Sequence, residues 1–430
     1  MEKTLKSRWV WLLWGFLLFL PFQFALNVQE GVDLASIRVV IGALFLVGCA
    51  IIVVQKRYVI PTSFSFWLGI SFFIGSFLSI LWAQEPSWAL RKGLFLLNFF
   101  LFFLFAYGMF FWRKWNLSHL AQGLSFTGVS SALVALGQVV FSQVVGVEKA
   151  IAFWRITITP FFLGGTFSET VSEYSSWAVN IGGVTFFRAI GFFPDPHVAA
   201  FFWEICLVWS LFYAYKRQSL LYGIFSGIIL AGLLLTFSRG AYVGIGLFLF
   251  LGTFFFIGMW KYARLFFLLF SGVIFFGIFL LFFTPIPERA LSSFSLGDTS
   301  NQGRLALWEQ ATQFLSQEPW GIGLGNYPLY VLPSAEYRDP IYAHNLYLDI
   351  SVDSGLIVGF LWIFWLVSVM LIGWKRKKKN FYGNAILFSL LVFSGHAFFD
   401  TPIYSVHILP LLLLVFASVG VFEGSKEKRL

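Results

Sequence analysis

The sequence has few charged residues and very few cysteines. Lys, Arg, Asp and Glu make up 11% of its 430 residues, whereas soluble proteins typically contain about 25%. Hydrophobic residues account for 59%, and the mean hydropathy is +0.81. This composition excludes an ordinary soluble globular domain. It predicts a polytopic membrane protein in which much of the apolar surface faces lipid.

The two cysteines, Cys49 and Cys206, both lie in apolar runs. They exclude a disulfide framework and a zinc site of cysteine ligands. The sequence also lacks a DxD pair and any His, Cys and Asp set with the spacing of a metal site, so we expect no metal and no cofactor. The first apolar run follows three basic residues but ends without a small-residue cleavage site, and we therefore expect a retained span rather than a signal peptide.

Twelve apolar runs are long enough to cross the hydrocarbon core of a bilayer as helices. We therefore predict an all-α polytopic membrane protein with about twelve transmembrane helices in a single membrane domain, 1–430. The predicted spans are 9–26, 36–54, 64–82, 93–112, 119–141, 198–215, 219–236, 240–258, 264–283, 346–373, 381–399 and 405–422.

The basic residues predict the orientation of these spans. With the N-terminus inside, the inner segments carry 19 of the 29 Lys and Arg residues and only 3 of the 20 acidic residues. This asymmetry follows the positive-inside rule and predicts that both termini are cytoplasmic. It also explains the net charge of +9 without nucleic acid binding. Two longer segments, 142–197 and 284–345, then lie on the outer face, where long loops are often functional.

Polar residues cluster on this predicted outer face. The stretch FFRAIGFFPDPHVAAFF carries Arg188, Asp195 and His197, and LLLTFSRGAYVGIG carries Arg239 in a tight turn. Arg304 opens an amphipathic stretch, with Leu305, Trp308, Ala311 and Leu315 at helical spacing, which Pro319 should end. The stretch YAHNLYLDISVDSG carries His344, Asn345, Asp349 and Asp353, and a weaker cluster contains His396 and Asp400.

Each cluster has an ordinary structural interpretation. An interfacial cation such as Arg38, Arg91 or Lys92 often only extends its head group to water. The GxGxG stretch after Trp320 is more typical of a turn than of a phosphate site, since no strand precedes it. His344 and Asn345 can cap a helix whose positive end the two aspartates stabilise.

The functional interpretation rests on the cost of charge at membrane depth. Arg239 lies between two strongly apolar spans, and a guanidinium suits bidentate binding of phosphate oxygens. Arg188, Arg239 and Arg304 together would suit a pyrophosphate, while His344 titrates near neutral pH. These residues predict group transfer from an activated, lipid-carried donor, with arginine rather than a metal stabilising the leaving charge.

Five stretches resemble the O-antigen ligase and O-antigen polymerase superfamily of bacterial envelope glycosyltransferases. They follow one another in the expected order across 188–417. The chain departs from the family pattern at His197, where asparagine is expected. The stretches are RAIGFFPDPHVAAFF (188–202), TFSRGAYVG (236–244), GRLALWEQATQFLSQEPWGIGLGNY (303–327), HNLYLDISVDSGLIVGFLWIF (344–364) and HAFFDTPIYSVHILPLLLLVFA (396–417).

The resemblance implies a GT-C-like fold of about twelve helices with a large periplasmic loop, in the bacterial inner membrane. It implies an undecaprenyl-pyrophosphate-linked glycan donor and an acceptor hydroxyl on lipid A–core, on another repeat unit or on a protein such as pilin. It also implies a metal-independent reaction with no nucleotide. Arg239 and Arg304 would then bind the donor diphosphate, with Arg188 as a third cation, and His344 would be the base or orient the acceptor hydroxyl.

The remaining roles and alternatives follow from the same scheme. Asn345, Asp349 and Asp353 would orient His344 or bind sugar hydroxyls, and a single displacement would invert the anomeric centre. Ligase and polymerase share these motifs, so the sequence does not separate them. The alternative from another class is a flippase or transporter of lipid-linked oligosaccharide. It is less favoured because the charged residues cluster at the outer edge and no internal repeat is visible.

Overall fold

The computed structural model describes residues 2–29, 32–55, 61–173, 176–257, 299–337, 339, 341–377 and 380–423. The predicted span 264–283 and the first part of the predicted outer segment 284–345 lie outside these residues. Helix dominates the described part of the chain, as the composition predicts. Four short strands add two antiparallel hairpins, which the all-α prediction did not include.

The helices, in chain order, are α1 (Glu2–Phe19), α2 (Ser36–Gln55), α3 (Phe64–Leu78), α4 (Pro86–Phe111), α5 (Leu117–Val145), α6 (Val147–Phe153), α7 (Thr159–Leu163), α8 (Gly165–Glu173), α9 (Pro196–Arg217), α10 (Leu220–Leu234), α11 (Arg239–Ile257), α12 (Thr299–Gln317), α13 (Tyr327–Val331), α14 (Leu346–Ser354), α15 (Leu356–Arg376), α16 (Tyr382–His396) and α17 (Ile408–Ala417). The strands are β1 (Ala25–Gln29), β2 (Val32–Ala35), β3 (Ala178–Ile181) and β4 (Val184–Phe187). A π-helical turn, Trp154–Ile158, separates α6 from α7.

The chain divides into two compact units, and each takes segments from distant parts of the sequence. The first unit comprises Met1–Ser36, Leu117–Asp298 and Lys377–His396. The second comprises Ile37–Asn116, Thr299–Arg376 and Ala397–Leu430. Neither unit is a contiguous stretch of sequence, so no linker composition marks the division.

In the first unit, α9 is the central helix, packed by α5, α10, α11 and α16. Asp195 starts it by accepting the backbone N–H groups of His197 and Val198, at 2.7 and 2.9 Å. Pro196 occupies the first turn, where its missing N–H costs nothing. Some 94% of the apolar window of α9 is buried, so this helix faces protein rather than lipid.

The predicted outer segment 142–197 is largely ordered secondary structure. It contains the short helices α6, α7 and α8 and the hairpin of β3 and β4, in which Ala178 pairs with Phe187. Trp154 and Trp177 anchor it by donating indole hydrogen bonds to the carbonyls of Gly191 and Pro194, both at 2.8 Å. Arg188 directly follows β4 and lies six residues before the PDPH stretch, 194–197.

In the second unit, α3 packs on α15 and α4 packs on α17. The predicted span 346–373 is interrupted, because the helix ends at Ser354 and a new helix begins after Gly355. Gly355 has φ +96°, and a Cβ there would lie 2.7 Å from the carbonyl oxygen of Trp320. The polar part of the predicted span is thereby separated, as α14, from the apolar helix α15.

Six described helices are long and apolar enough to cross a membrane: Ser36–Val54, Phe64–Trp82, Pro86–Phe111, Leu117–Val145, Pro196–Arg217 and Leu356–Arg376. Shorter apolar helices cover Arg8–Phe22, Leu220–Leu234, Arg239–Gly252 and Ile408–Phe422. The protein is therefore a multi-pass helical membrane protein. The count of twelve spans, and the side on which each loop lies, stay predictions.

Candidate functional site

The turn between α10 and α11 positions two predicted cations of the first unit. Arg239 begins α11 rather than lying at the tip of a loop, and its exposed fraction is 7%. Arg188 approaches the same turn, where its Nε donates to the carbonyl of Thr236 at 2.6 Å. Its Nη1 donates to the carbonyl of Ser176 at 2.9 Å. The structure therefore brings Arg188 to the turn that precedes Arg239, where one of its donors binds that turn and another binds the segment that precedes β3.

This turn is conformationally strained at one residue. Phe237 adopts φ +50°, a left-handed conformation that is costly for a bulky side chain. Ser238 then caps α11, its Oγ accepting the backbone N–H of Ala241 at 3.4 Å. The Thr-Phe-Ser-Arg stretch is thus a fixed corner that places Arg239 in the first turn of a helix.

The second unit holds Arg304, His344, Asn345, Asp349 and Asp353. His344 is the predicted base, and it also adopts a left-handed conformation, with φ +50°. Its side chain is 39% exposed, and its Nδ1 lies 3.5 Å from Oδ1 of Asp400. A carboxylate facing Nδ1 leaves Nε2 as the nitrogen available for a proton transfer.

The charges around His344 change its pKa in opposing directions. Burial lowers the pKa, but the hydrogen bond and negative charge of Asp400 raise it, and the result is a raised pKa. The positive charge of Arg304 lowers the pKa of His344 and so opposes this increase. Trp308, one turn further along α12, packs against Phe399 with ring centroids 6.2 Å apart. The contact brings α12 to the segment that carries Asp400.

Asn345 and Asp349 shape the backbone around His344. Asn345 caps α14, its Oδ1 accepting the N–H groups of Tyr347 and Leu348 at 3.1 and 3.2 Å. Asp349 accepts the N–H of Ala343 at 2.7 Å through Oδ1, and the N–H of Asn345 at 3.4 Å through Oδ2. Both side chains thus perform the structural roles that the sequence allowed as the ordinary interpretation.

Asp349 is 2% exposed and also accepts a short hydrogen bond from Oγ1 of Thr401. Burial raises the pKa of Asp349, the hydrogen bonds from Thr401 and Ala343 lower it, and the resulting pKa is about 6. The carboxylate is therefore used by the protein itself, to orient the segment that carries the histidine.

Asp353 is likewise engaged by the protein. Its Oδ2 accepts from Lys92 Nζ and from the Tyr404 hydroxyl, both at 2.9 Å. Lys92 also lies over the ring of Tyr404, 3.5 Å from its centroid. Sequence reasoning treated Lys92 as an interfacial anchor and did not single out Thr401 or Tyr404. The signal for these partners was the pair of aspartates four residues apart. Two buried carboxylates on one face of a helix require hydrogen-bond donors or cations from elsewhere in the chain.

The GxGxG stretch is a docking loop, as its turn interpretation predicts. Ile322 and Gly323 donate backbone hydrogen bonds to the carbonyls of Val352 and Asp353, at 2.9 and 3.0 Å. Gly321 has φ +77°, and a Cβ there would lie 2.6 Å from the backbone nitrogen of Gly355. The loop therefore needs glycine to approach the junction of α14 and α15.

The amphipathic helix is confirmed in part. The helix α12 covers Arg304 and ends at Gln317, two residues before Pro319. Ala311 and Leu315 are buried, at 0% and 6% exposure, and join a core cluster that includes Tyr327, Ala343 and Val352. Leu305 is 49% exposed, so the apolar face that the spacing predicts is not buried along its whole length. The buried part begins one turn later because only the C-terminal part of α12 lies against this cluster.

A cleft of about 610 Å³ also opens in the second unit. None of the predicted site residues lines it, which separates it from His344. The lining residues are Trp82, Gln84, Phe314, Glu318, Trp320, Gly321 and Ile322.

Comparison with known proteins gives a match for one region of the chain, and that region contains several of the candidate site residues. No curated protein matches the chain. Residues 224–363 match the family model described as O-antigen ligase. The matched region contains Arg239, Arg304 and His344. Together with the apolar helices, the match supports a role in membrane glycan transfer in surface polysaccharide biosynthesis. It confirms the resemblance of this chain to the O-antigen ligase and O-antigen polymerase superfamily.

Proposed function

We propose that the protein is a metal-independent membrane glycosyltransferase that moves a glycan from undecaprenyl pyrophosphate to an acceptor hydroxyl. The observation that carries the proposal is the position of His344. Its backbone is held at φ +50°, its Nδ1 faces Asp400 at 3.5 Å, and it lies within the region that matches the O-antigen ligase family. A strained, carboxylate-paired imidazole with partial exposure is typical of a catalytic base.

In the proposed reaction, His344 removes the proton from the acceptor hydroxyl through Nε2. The hydroxyl oxygen forms a bond to the anomeric carbon as the bond from that carbon to the diphosphate oxygen breaks. The electron pair leaves with the diphosphate, and the imidazolium that forms is stabilised by Asp400. A single displacement of this kind inverts the anomeric configuration.

Arginine supplies the positive charge in this scheme. Arg304 is proposed to bind the diphosphate beside the base, and its positive charge lowers the pKa of His344. Arg239 and Arg188 are proposed as further diphosphate-binding cations, as the sequence predicts. The acceptor, on lipid A–core, on a second repeat unit or on a protein, is left to experiment, and so are the inner-membrane location and the periplasmic side of the reaction.

The test is transfer by purified full-length protein in detergent. Wild type, His344→Gln and Arg304→Gln would receive a polyprenyl-pyrophosphate glycan with EDTA, and in turn lipid A–core or a second lipid-linked repeat. We expect wild-type transfer in EDTA and a loss of about 100-fold or more in each variant. His119→Gln and Arg155→Gln are matched controls outside the proposed site.

The products decide between the remaining possibilities. The acceptor that becomes glycosylated distinguishes a ligase from a polymerase, and a retained anomeric configuration would contradict the single displacement. If His344→Gln transferred at the wild-type rate, the role of the histidine would be wrong. Movement of the lipid-linked glycan across proteoliposomes, without transfer to either acceptor, would support the flippase alternative.

A further inference from the structure

A chain of four polar side chains crosses the core of the first unit. His197 Nδ1 lies 3.2 Å from Ser238 Oγ, and Ser238 Oγ lies 3.3 Å from His396 Nε2. On its other side, His396 Nδ1 lies 3.1 Å from Glu204 Oε2. Three helices contribute: α9 carries His197 and Glu204, Ser238 caps α11, and α16 ends at His396. None of these four residues has a role in the proposed transfer reaction.

Burial increases from one end of this chain to the other. His197 is partly exposed, whereas Ser238 and His396 are 0% exposed and Glu204 is 1% exposed. Among the described residues, Glu204 Oε1 accepts no hydrogen bond, so His396 is the group that supports this carboxyl. Ionisable groups so deep in a membrane protein are costly and indicate function.

The surrounding helices are shaped to admit these side chains. The His396 ring stacks on Phe201 with centroids 3.7 Å apart and an interplanar angle of 8°. A Cβ on Gly240 would overlap the His396 ring, and a Cβ on Gly244 would lie 2.9 Å from Glu204 Oε1. These glycines are four residues apart on α11 and therefore share one face. Both are required for the close approach of His396 and Glu204 to this helix.

The Ser238 hydroxyl has a single proton to share between two histidines. Its oxygen already accepts the N–H of Ala241 at 3.4 Å. If it donates to one imidazole, it must accept from the other, because a hydroxyl has one donor and two acceptor positions. The four side chains therefore have two complete arrangements, in which the hydrogen bonds run in opposite directions.

The first arrangement is the deprotonated state. His396 Nδ1–H donates to ionised Glu204, Ser238 donates to His396 Nε2, and His197 Nδ1–H donates to Ser238. His197 Nε2 then carries no proton. In the second arrangement His197 Nε2 has gained a proton and Ser238 donates to His197 Nδ1. His396 Nε2–H now donates to Ser238, and the imidazolium of His396 pairs with Glu204.

We propose that these side chains form a proton-binding site in which His197 takes up one proton from solvent, and the charge is held by the buried His396–Glu204 pair. Uptake adds a proton at His197 Nε2, moves one from His197 Nδ1 to Ser238 and moves one from Ser238 to His396 Nε2. One proton enters and no group other than His396 changes its charge. The carboxylate of Glu204, uncompensated before uptake, then faces a cation.

The packed helices carry other titratable groups. Lys216 and Arg217 end α9, which also carries Cys206, Tyr213 and Tyr215, while α10 carries Tyr222, α11 carries Tyr242 and α16 carries Tyr382. Asp195 and Arg188 lie on the segment leading into α9, where Asp195 caps the helix and Arg188 holds the carbonyl of Thr236. Arg239 follows Ser238 directly. The helix α5 carries His119 near its N-terminal end, and no charged residue occurs in the sequence of α10. The proton site is therefore adjacent in sequence to a predicted phosphate-binding cation.

The site can be tested on the intact protein without a substrate, so the result does not depend on the proposed transferase activity. The chain contains five histidines, which makes ¹⁵N-histidine NMR of the detergent-solubilised protein practical. His197→Gln and His396→Gln would assign the two signals. In wild type we expect His197 to be the Nδ1–H tautomer at high pH, and to change to the Nε2–H tautomer in the same titration step that charges His396.

Ser238→Ala removes the link and leaves both histidines in place. Without Ser238 the Nδ1 proton of His197 has no acceptor, so we expect His197 to become an imidazolium on protonation. Its titration should separate from the charging of His396 by about one pH unit or more, because the two sites no longer act as one. Ser238→Thr retains a hydroxyl and should keep the steps together. Ser226→Ala is a matched control, since Ser226 is also fully buried and hydrogen-bonded, to Ser210 at 2.9 Å, but contacts no histidine.

Two results would overturn the inference. One is a His197 that holds the Nε2–H tautomer at high pH. Ser238 would then already donate to His197 Nδ1, and no proton could pass from His197 through Ser238 to His396. The other is an unchanged pair of titrations in Ser238→Ala. If glycan transfer were absent while the coupled titration was present, the proposed function would fail and the proton site would stand.

Discussion

The carboxylate of Asp349 holds the backbone on both sides of His344. It accepts the N–H of Ala343 at 2.7 Å and the N–H of Asn345 at 3.4 Å, and the residue between them has φ +50°. Left-handed geometry in a non-glycine residue costs about 1–3 kcal/mol and persists only where the surroundings impose it. Asp349 is the side chain that imposes it here, and it fixes the direction in which the imidazole leaves the backbone.

Asp349→Ala should therefore impair catalysis through position. The buried N–H of Ala343 loses its acceptor, at a cost of about 1–3 kcal/mol, and His344 is free to relax. We expect the transfer rate at saturating substrate to fall about 100-fold, since a small misplacement of a catalytic group has effects of that size. Steady-state kinetics and thermal unfolding in detergent would measure both effects. Asp339→Ala, which removes a carboxylate from a surface turn, should leave the rate unchanged.

The pH dependence of transfer should report the environment of His344. A base acts in its neutral form, so the rate should fall as pH decreases through the raised pKa of His344. Asp400→Asn removes the largest group that raises this pKa, and the midpoint should move to lower pH. Arg304→Gln removes a charge that lowers it, and the midpoint of the residual activity should move to higher pH. The measurement is the profile of kcat/KM against pH for both variants. Midpoints that move in the same direction in Asp400→Asn and Arg304→Gln would contradict the assignment.

The ion pair of Lys92 and Asp353 should be important for stability rather than for catalysis. Their side chains are 16% and 4% exposed, and removing one member of a buried pair leaves the other charge uncompensated. Lys92→Met should lower the free energy of unfolding by about 3 kcal/mol, and adding Asp353→Asn should recover part of the loss. Denaturant titration in detergent measures this, with Lys149→Met, at an exposed lysine, as the control. A double variant less stable than Lys92→Met would contradict the pairing.

Two glycines of the second unit should respond to alanine with opposite signs. Gly321 has φ +77° and no room for a Cβ beside Gly355, so Gly321→Ala should destabilise the protein by more than about 1 kcal/mol. Gly303 lies within α12, where a Cβ would meet no atom within 4 Å, so Gly303→Ala should stabilise it by about 0.5–1 kcal/mol. Thermal unfolding of the two variants side by side is the measurement. Equal shifts would show that the docking loop does not depend on its glycine.

The helical class and most helix positions were predictable because they depend on local properties. Apolar runs of sufficient length must form helices in lipid, and α2, α3, α5 and α9 lie close to their predicted spans. The break at Gly355 was not predicted, because hydropathy averages over the polar α14 and the apolar α15. The exposure of Leu305 was not predicted for a related reason, since periodicity shows an apolar face but not where its contact with the rest of the protein begins.

The residue types at the site were also readable from the sequence, whereas their partners were not. His344, Asp349 and Asp353 stand together in one short stretch, and charge at a membrane edge draws attention without any structure. Their assignment as sugar ligands or as helix stabilisers could not be decided, because Asp400, Thr401 and Lys92 are distant in sequence.

The sequence by itself determined a multi-pass helical membrane protein, the family resemblance and the identity of the candidate cations and base. Composition and short motifs suffice for this, because burial in lipid and the chemistry of each side chain act locally. Only the tertiary structure decided that Asp349 serves the backbone of His344 and that Asp353 serves Lys92. Likewise, only the tertiary structure links Glu204 to His197. The link runs through Ser238, about 40 positions from His197, and His396, about 190 positions from Glu204. Hydrogen bonds act over about 3 Å, and separation along the chain does not reveal which groups come that close.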